Sequence, residues 1–142
     1  MNDSQLKLEN QLCHRLYMAA NGIVRSYRPL LEAIDLTYPQ YVVMMAMWEH
    51  DKLTIASLLE KTAIDGGAMT LILKKMLGKS LLDIVRDEHD KRKKWVTLTQ
   101  QGRQLKSQAL QIPEQIRCGF PNVSTEDLQQ LTQLLDKVLV DL

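Results

Sequence analysis

The stretch LLDIVRDEHDKRKKWVTLT, residues 81–99, breaks the rhythm of the chain around it. Apolar and β-branched residues flank a charged, turn-like centre, DEHDKRKK, which predicts a hairpin with a long polar tip. On both sides of it, apolar residues recur every three or four positions, the mark of amphipathic helices. One hairpin set into an otherwise helical chain restricts the architecture to a mainly α fold with a small β element.

The helical segments are bounded by readable signals. Leu8, Leu12, Leu16, Ile23, Val24, Tyr27, Leu30 and Leu31 predict one long helix from Leu6 to about Ile34, with Gly22 loosening its middle and Pro29 kinking it. Such a helix is roughly 40 Å long, and a small core cannot cover both its ends, so part of its stripe is expected to meet another chain. Thr37 with Gln40 forms a capping box ahead of YVVMMAMW, a helix expected to be buried on most faces. Two shorter helices follow, Thr54–Lys61 and about Asp65–Lys79, the second capped by Asp65. After the hairpin, Thr99 caps a helix expected to run to about Cys118, with Pro113 as a kink or boundary. Ser124 and Asp127 open the last helix, striped by Leu128, Leu131, Leu134, Leu135, Val138 and Leu139.

Composition narrows the function classes. A chain of 142 residues with 45% apolar side chains suits one domain, and a net charge of +1 leaves any argument about partners to local clusters. The opening MNDSQLKLEN lacks an apolar run after a basic start, and YVVMMAMW at 41–48 is too short to cross a bilayer. A cytoplasmic protein with free thiols and no membrane contact is expected. Cys13 and Cys118 have no CxxC spacing, and His14, His50 and His89 fall in unrelated segments, so neither a metal nor a cofactor is expected.

Helix, short helix, helix and basic-tipped hairpin is the order of a winged helix-turn-helix, whose second motif helix lies in the major groove. Asp65, Gly66, Gly67, Ala68 and Thr70 occupy the start of that reading helix, Lys74 and Lys75 follow, and Lys91, Arg92, Lys93 and Lys94 crowd the wing tip. Either cluster alone reads equally well as a solvated charge run. Flanking one turn–helix–hairpin unit in this order, they suit double-stranded DNA.

The run from LTYPQY to LTQQG, covering 36–102, resembles the MarR family of winged-helix repressors. The resemblance implies a homodimer joined by N- and C-terminal helices, here 1–36 and 104–142, around a winged-helix DNA-binding region, 37–103. It also implies a wing in which Arg92 enters the minor groove, oriented by Asp90, with Lys94 beside them. The reading helix departs from the family's D-S-G-T-L-T-P: this chain has DGGAMTL, so Gly66 and Ala68 lack hydroxyls. Operator sequence or affinity is therefore expected to differ.

LENQLC, the LY at 16–17 and YRPLL at 27–31 resemble the organic-hydroperoxide-sensing branch of that family, OhrR. The resemblance implies that peroxide oxidises Cys13, that Tyr17 and Tyr27 hydrogen-bond the reduced sulfur, and that Cys118 resolves the sulfenic acid as a disulfide to the other subunit. Tyr27 lies roughly 21 Å from Cys13 along a straight helix, out of reach within one chain. If both phenols serve one thiol, Tyr27 comes from a second copy. His14 and Arg15 stand where relatives are apolar, which touches the lining of the pocket rather than the thiol. By residues alone Cys13 is more simply an inert buried thiol. Two other readings stand beside the sensor: a repressor released by a small aromatic or acidic ligand near Met44, Met45, Met47 and Trp48, and a thiol-dependent peroxidase.

Overall fold

A computed structural model describes residues 3–142; Met1 and Asn2, part of the stretch screened for a leader, lie outside the described residues. The chain opens with two 3₁₀ turns, Asp3–Leu6 and Leu8–Asn10, and then runs α1 (Leu12–Glu32), α2 (Tyr38–Glu49), β1 (Lys52–Thr54), α3 (Ile55–Thr62) and α4 (Gly66–Gly78). There follow β2 (Leu82–Arg86), β3 (Lys94–Leu98), α5 (Gln100–Ala109), α6 (Ile112–Cys118) and α7 (Thr125–Val140). The chain divides into two compact units, one ending at Leu110 and one spanning Gln111–Leu142. Among the described residues no helix is long and apolar enough to cross a membrane.

Side-chain caps start five of the helices, four of them at the residues expected to cap and the fifth at Thr54, expected as the first helical residue. Thr37 and Gln40 close a reciprocal box, Thr54 accepts from Ser57 N–H, Asp65 from Ala68 N–H, Thr99 from Gly102 N–H, and Ser124 pairs with Asp127. Each cap satisfies a backbone donor that the first helical turn leaves free.

Three expectations need correction. The first helix begins at Leu12, not Leu6. Leu8 keeps the four-residue leucine spacing, but Gln11 is extended and its side-chain amide donates back to the carbonyls of Gln5 and Lys7, at 2.7 and 2.9 Å. The hairpin forms as expected from β2 and β3, but a third strand, β1, adds to it, giving antiparallel order β1-β3-β2 with Leu53 opposite Val96 and Ile84 opposite Val96 on the other edge. The helix after Thr99 stops at Ala109, and Pro113 sits in the first turn of a separate α6. There its missing N–H removes no hydrogen bond. Pro29, by contrast, is carried inside a continuous α1.

The core of the first unit is α2. Tyr41, Val43, Met44 and Met47 are buried, with Leu58 of α3, Met69, Leu73 and Met76 of α4, and Leu82, Val96 and Leu98 of the sheet. Two polar ties fasten other elements to it. Trp48 Nε1 donates to the Gly102 carbonyl of α5 at 3.0 Å. Gln40, buried, accepts at Oε1 from Thr37 N–H at 3.2 Å and from Lys79 Nζ at 3.0 Å, and Lys79 also donates to the Asp35 carbonyl at 2.6 Å. Lys79 thus joins the end of the reading helix to the turn between α1 and α2.

Gly102 explains the glycine of LTQQG. A methyl group there would run into the Leu81 carbonyl oxygen and crowd Leu98, so only hydrogen fits where α5 passes the β2 entry. In the second unit, the Arg117 guanidinium donates to the carbonyls of Phe120 and Val123, at 3.2 and 2.7 Å, and folds the GFPNVS loop. No residue of α7 is buried; Leu131, Leu134, Val138 and Leu139 are all exposed.

Candidate DNA interface and thiol site

The reading helix α4 enters through a short turn. Ala63 takes the left-handed conformation at φ 55° that ends α3, and Asp65 caps the helix that follows. Met69, Leu73 and Met76 face the core, while Gly66, Gly67, Ala68, Thr70, Leu71, Lys74 and Lys75 are exposed. All the reading-helix residues expected from the sequence therefore share the outer surface of α4, except that Asp65 spends its carboxylate on the Ala68 N–H, at 3.3 Å. Thr70 Oγ1 donates to the Gly66 carbonyl at 3.1 Å.

The wing tip is organised by a residue that sequence reasoning passed over. Asp87 accepts from Trp95 Nε1 at 2.9 Å through one carboxylate oxygen. Through the other it accepts from the backbone N–H groups of His89 and Asp90, at 3.0 and 2.9 Å. The Trp95 indole and the two backbone donors hold its carboxyl below the usual aspartate value. The indole is covered by two ammonium groups, Lys52 at 4.7 Å and Lys93 at 4.6 Å from the ring centre. Asp90 accepts from the Arg92 backbone N–H at 3.0 Å, so it shapes the backbone that carries Arg92. Lys94 opens β3 opposite Arg86. The signal that was available is an acidic residue just past β2 with a tryptophan eight positions on, a hairpin-spanning pair.

Cys13 lies in the first turn of α1 and is exposed. Tyr17, one turn on, is 67% exposed and has the His14 ring beside it, centroids 6.4 Å apart. The Arg15 guanidinium turns back to the carbonyls of Glu9 and Gln11, at 2.5 and 3.2 Å. It therefore braces the N-terminal turns. The expectation of a buried, inert Cys13 fails for the single chain.

Tyr27 is held elsewhere. Its ring packs on Tyr38 at 5.0 Å and Tyr41 at 5.7 Å, and Tyr38 and Tyr41 meet at 6.4 Å. Burial, with the neighbouring phenol of Tyr38, pushes the Tyr27 hydroxyl above the ordinary phenol range, so it stays protonated and able to donate. Cys13 and Tyr27 share one continuous helix and are not brought together within a chain. Tyr38 and Tyr41 were missed as a ring platform for Tyr27, although TYPQY sets them three apart on one helix face. Cys118 is exposed at the end of α6, its sulfur 3.7 Å from Glu114 Oε1. Met44 and Met47 are core, Met45 is exposed and Trp48 is half-buried, so they do not jointly line a cleft. Among the described residues no group of three or more His, Cys, Asp or Glu side chains is gathered as a metal site needs.

A family model described as transcriptional regulator SarA/Rot matches residues 25–109. The organic hydroperoxide resistance transcriptional regulator of Bacillus subtilis is 40% identical over 134 residues, spanning 94% of this chain and 90% of the relative. The chain belongs to the MarR and SarA/Rot family of winged-helix transcriptional regulators. Solved structures of the family share its architecture. Bordetella bronchiseptica BpsR, described with regulation of its DNA binding by 6-hydroxynicotinic acid, superposes with TM-score 0.85 at 26% identity, over 93% of this chain and 95% of its own. Overoxidised AbfR bound to DNA, a Staphylococcus epidermidis protein, gives 0.75 at 27% identity, over 97% and 99%. Membership carries the winged helix-turn-helix fold expected from the hairpin and places the chain among regulators, not enzymes.

Proposed function

We propose that this regulator is a repressor that binds operator DNA as a homodimer and releases it when an organic hydroperoxide oxidises Cys13. The observation that carries the proposal is an exposed thiol in the first turn of α1, with an exposed tyrosine one turn on. That is where a reactive sulfur must stand for peroxide to reach it. The kinship to a hydroperoxide resistance regulator supports the same reading.

The chemistry is a two-electron oxidation. The Cys13 thiolate attacks the outer peroxide oxygen, a sulfur–oxygen bond forms as the oxygen–oxygen bond breaks, and the alcohol leaves with a proton. The sulfenic acid is then open to a thiol, which forms a disulfide and releases water. Cys118 of a second copy is the proposed resolving thiol. A disulfide needs Cα atoms within about 7 Å, so its closure would fix the spacing of the helices that carry the two sulfurs.

The dimer is proposed from surface chemistry. Leu12, Met18 and Val24 on α1 are exposed, and Leu131, Leu134 and Val138 on α7 are exposed too, a set of large apolar side chains that suits burial against a second copy. In that assembly Tyr27 of one copy can reach Cys13 of the other, as one straight helix forbids. On DNA, α4 reads the major groove and the basic wing tip meets phosphate and minor groove, with Arg92 held out by the turn that Asp90 shapes.

The test is a gel shift on the DNA upstream of the protein's own gene. Wild type is expected to release that duplex when treated with an organic hydroperoxide, and Cys13→Ser to stay bound. Release by Cys13→Ser protein would overturn the sensor. It would favour instead a ligand-released regulator, for which a crevice of about 290 Å³ beside Val24, Arg28, Leu31 and Tyr38 is one candidate cavity. Treated protein that runs only as monomer on a non-reducing gel, yet lets DNA go, would remove Cys118 from the scheme.

A further inference from the structure

We propose that α4 recognises thymine methyl groups through Leu71, so that each operator half-site carries a thymine where the middle of this helix is seated. The proposal rests on the DNA-binding reading above and specifies what that helix reads.

Leu71 is 64% exposed, the most exposed large apolar residue of α4: Met69, Leu73 and Met76 are buried, Ile72 is half-buried and Leu77, near the far end, is 37% exposed. Helical spacing puts it on one stripe with Gly67 a turn before and Lys74 and Lys75 a turn after. That stripe faces away from the core. Its chemistry is unusual for a helix that must tell bases apart. Gly66 and Gly67 have no side chain, and Ala68 offers a methyl group. Thr70 is the one hydroxyl residue here, and its donor is spent on the Gly66 carbonyl at 3.1 Å. Ahead of Lys74, then, no exposed side chain of α4 has a hydrogen-bond donor to spare.

Base edges in the major groove are told apart by distinct contacts: Arg or Lys to guanine, Asn or Gln to adenine, carboxylate to cytosine, and apolar contact to the thymine methyl. A surface of glycine, alanine and leucine is equipped for the last of these. Gly66 has open space around the position a Cβ would take, so the start of the helix presents no bulk to the groove floor. Lys74 and Lys75, as flexible point charges, supply phosphate attraction without dictating sequence. An exposed leucine elsewhere on a protein would need no explanation. In the centre of a reading stripe, with two lysines a turn further on, it is placed to touch a base edge.

The experiment separates the methyl group from base pairing. Duplexes are selected from a randomised pool by the full-length protein, and each thymine of the selected duplex is replaced in turn by deoxyuridine, which lacks only the methyl. For wild type, one such replacement in each half-site is expected to weaken binding about fourfold, the worth of one buried methyl-sized group. Leu71→Ala is expected to bind the thymine duplex more weakly by a similar factor and to be indifferent to uracil at that position. Leu71→Met, which keeps an apolar reach, should retain the preference. Equal sensitivity to uracil in wild type and Leu71→Ala, or none in wild type, overturns the proposal. If wild type selects no duplex and shows no salt-dependent binding to any, the DNA-binding reading itself falls, and this one with it.

Discussion

At the wing tip the groups that shape the turn find their partners in their own chain. Asp87 gathers three donors, Trp95 lies between two lysines, and Asp90 fastens the backbone under Arg92. The start of α1 is arranged otherwise. Cys13 and Tyr17 face outward, Leu12 and Met18 are exposed beside them, and Tyr27 is occupied with two other rings. Both regions belong to the same compact unit, and both carry residues that the family resemblance marks as functional. One is finished by its own side chains; the other has the look of half a site. The contrast teaches that a binding element for DNA can be built by one protomer, whereas the thiol site proposed above would draw on two.

The sharpest way to break that contrast is to prevent pairing. Leu134→Glu on the exposed face of α7 is expected to give a monomer by sedimentation, with operator binding lost and the peroxide sensitivity of Cys13, followed by thiol labelling, changed. The wing, complete in itself, should keep its Trp95 environment in the same variant. A monomer whose thiol reacts as before would show that the site is whole in one chain.

Gly102→Ala should act on the opposite side of the comparison. Its methyl would collide with the Leu81 carbonyl, so a loss of about 2–3 kcal/mol in unfolding free energy is expected from chemical denaturation. Lys79→Met removes a donor from the buried Gln40 oxygen and from the Asp35 carbonyl. A cost of about 1–2 kcal/mol is expected by the same measurement. DNA affinity is expected to fall with it, because the tie holds the end of α4.

The smallest effect concerns acid. Asp87 is held below the ordinary aspartate value of 3.8, chiefly by the Trp95 indole and then by the Asp90 and His89 backbone donors. A carboxyl with a depressed value in the folded state adds order above the unfolded value and loses it as pH falls through the folded one. The wing tip should therefore hold through neutral and mildly acid solution and loosen only below about pH 4. The Trp95 indole signal in proton–nitrogen NMR spectra reports this, and in Asp87→Asn the acid transition should vanish. An unchanged transition in that variant would assign the wing's order to other groups.

Much of this was legible because it was local. Thr37, Asp65, Thr99 and Ser124 each cap a helix by a contact three residues away, and such contacts are written in short sequence windows. The failures have physical causes. Leucine spacing continued through Leu8, four residues before Leu12, while the extended backbone at Gln11 has no sequence mark strong enough to override it. β1 is three residues long and exists only because β3 offers an edge for it to pair with. At the thiol, the residue types and spacing were plain, but the aromatic platform under Tyr27 depends on α1 meeting α2, which no spacing within α1 records. Asp87 went unnoticed because its carboxylate works on backbone donors close by and on one indole across the hairpin.

The order of the three strands has a mechanical consequence. β3, which carries the lower half of the wing, is gripped on both edges, by β2 along its whole length and by β1, which runs directly into the cap of α3. The stalk of the wing and the first helix of the reading motif are in this way parts of one stiff bracket. A bracket tied along both edges in this way is expected to move as one body rather than to stretch its own span. Regulation acting on it has only to set where it is held.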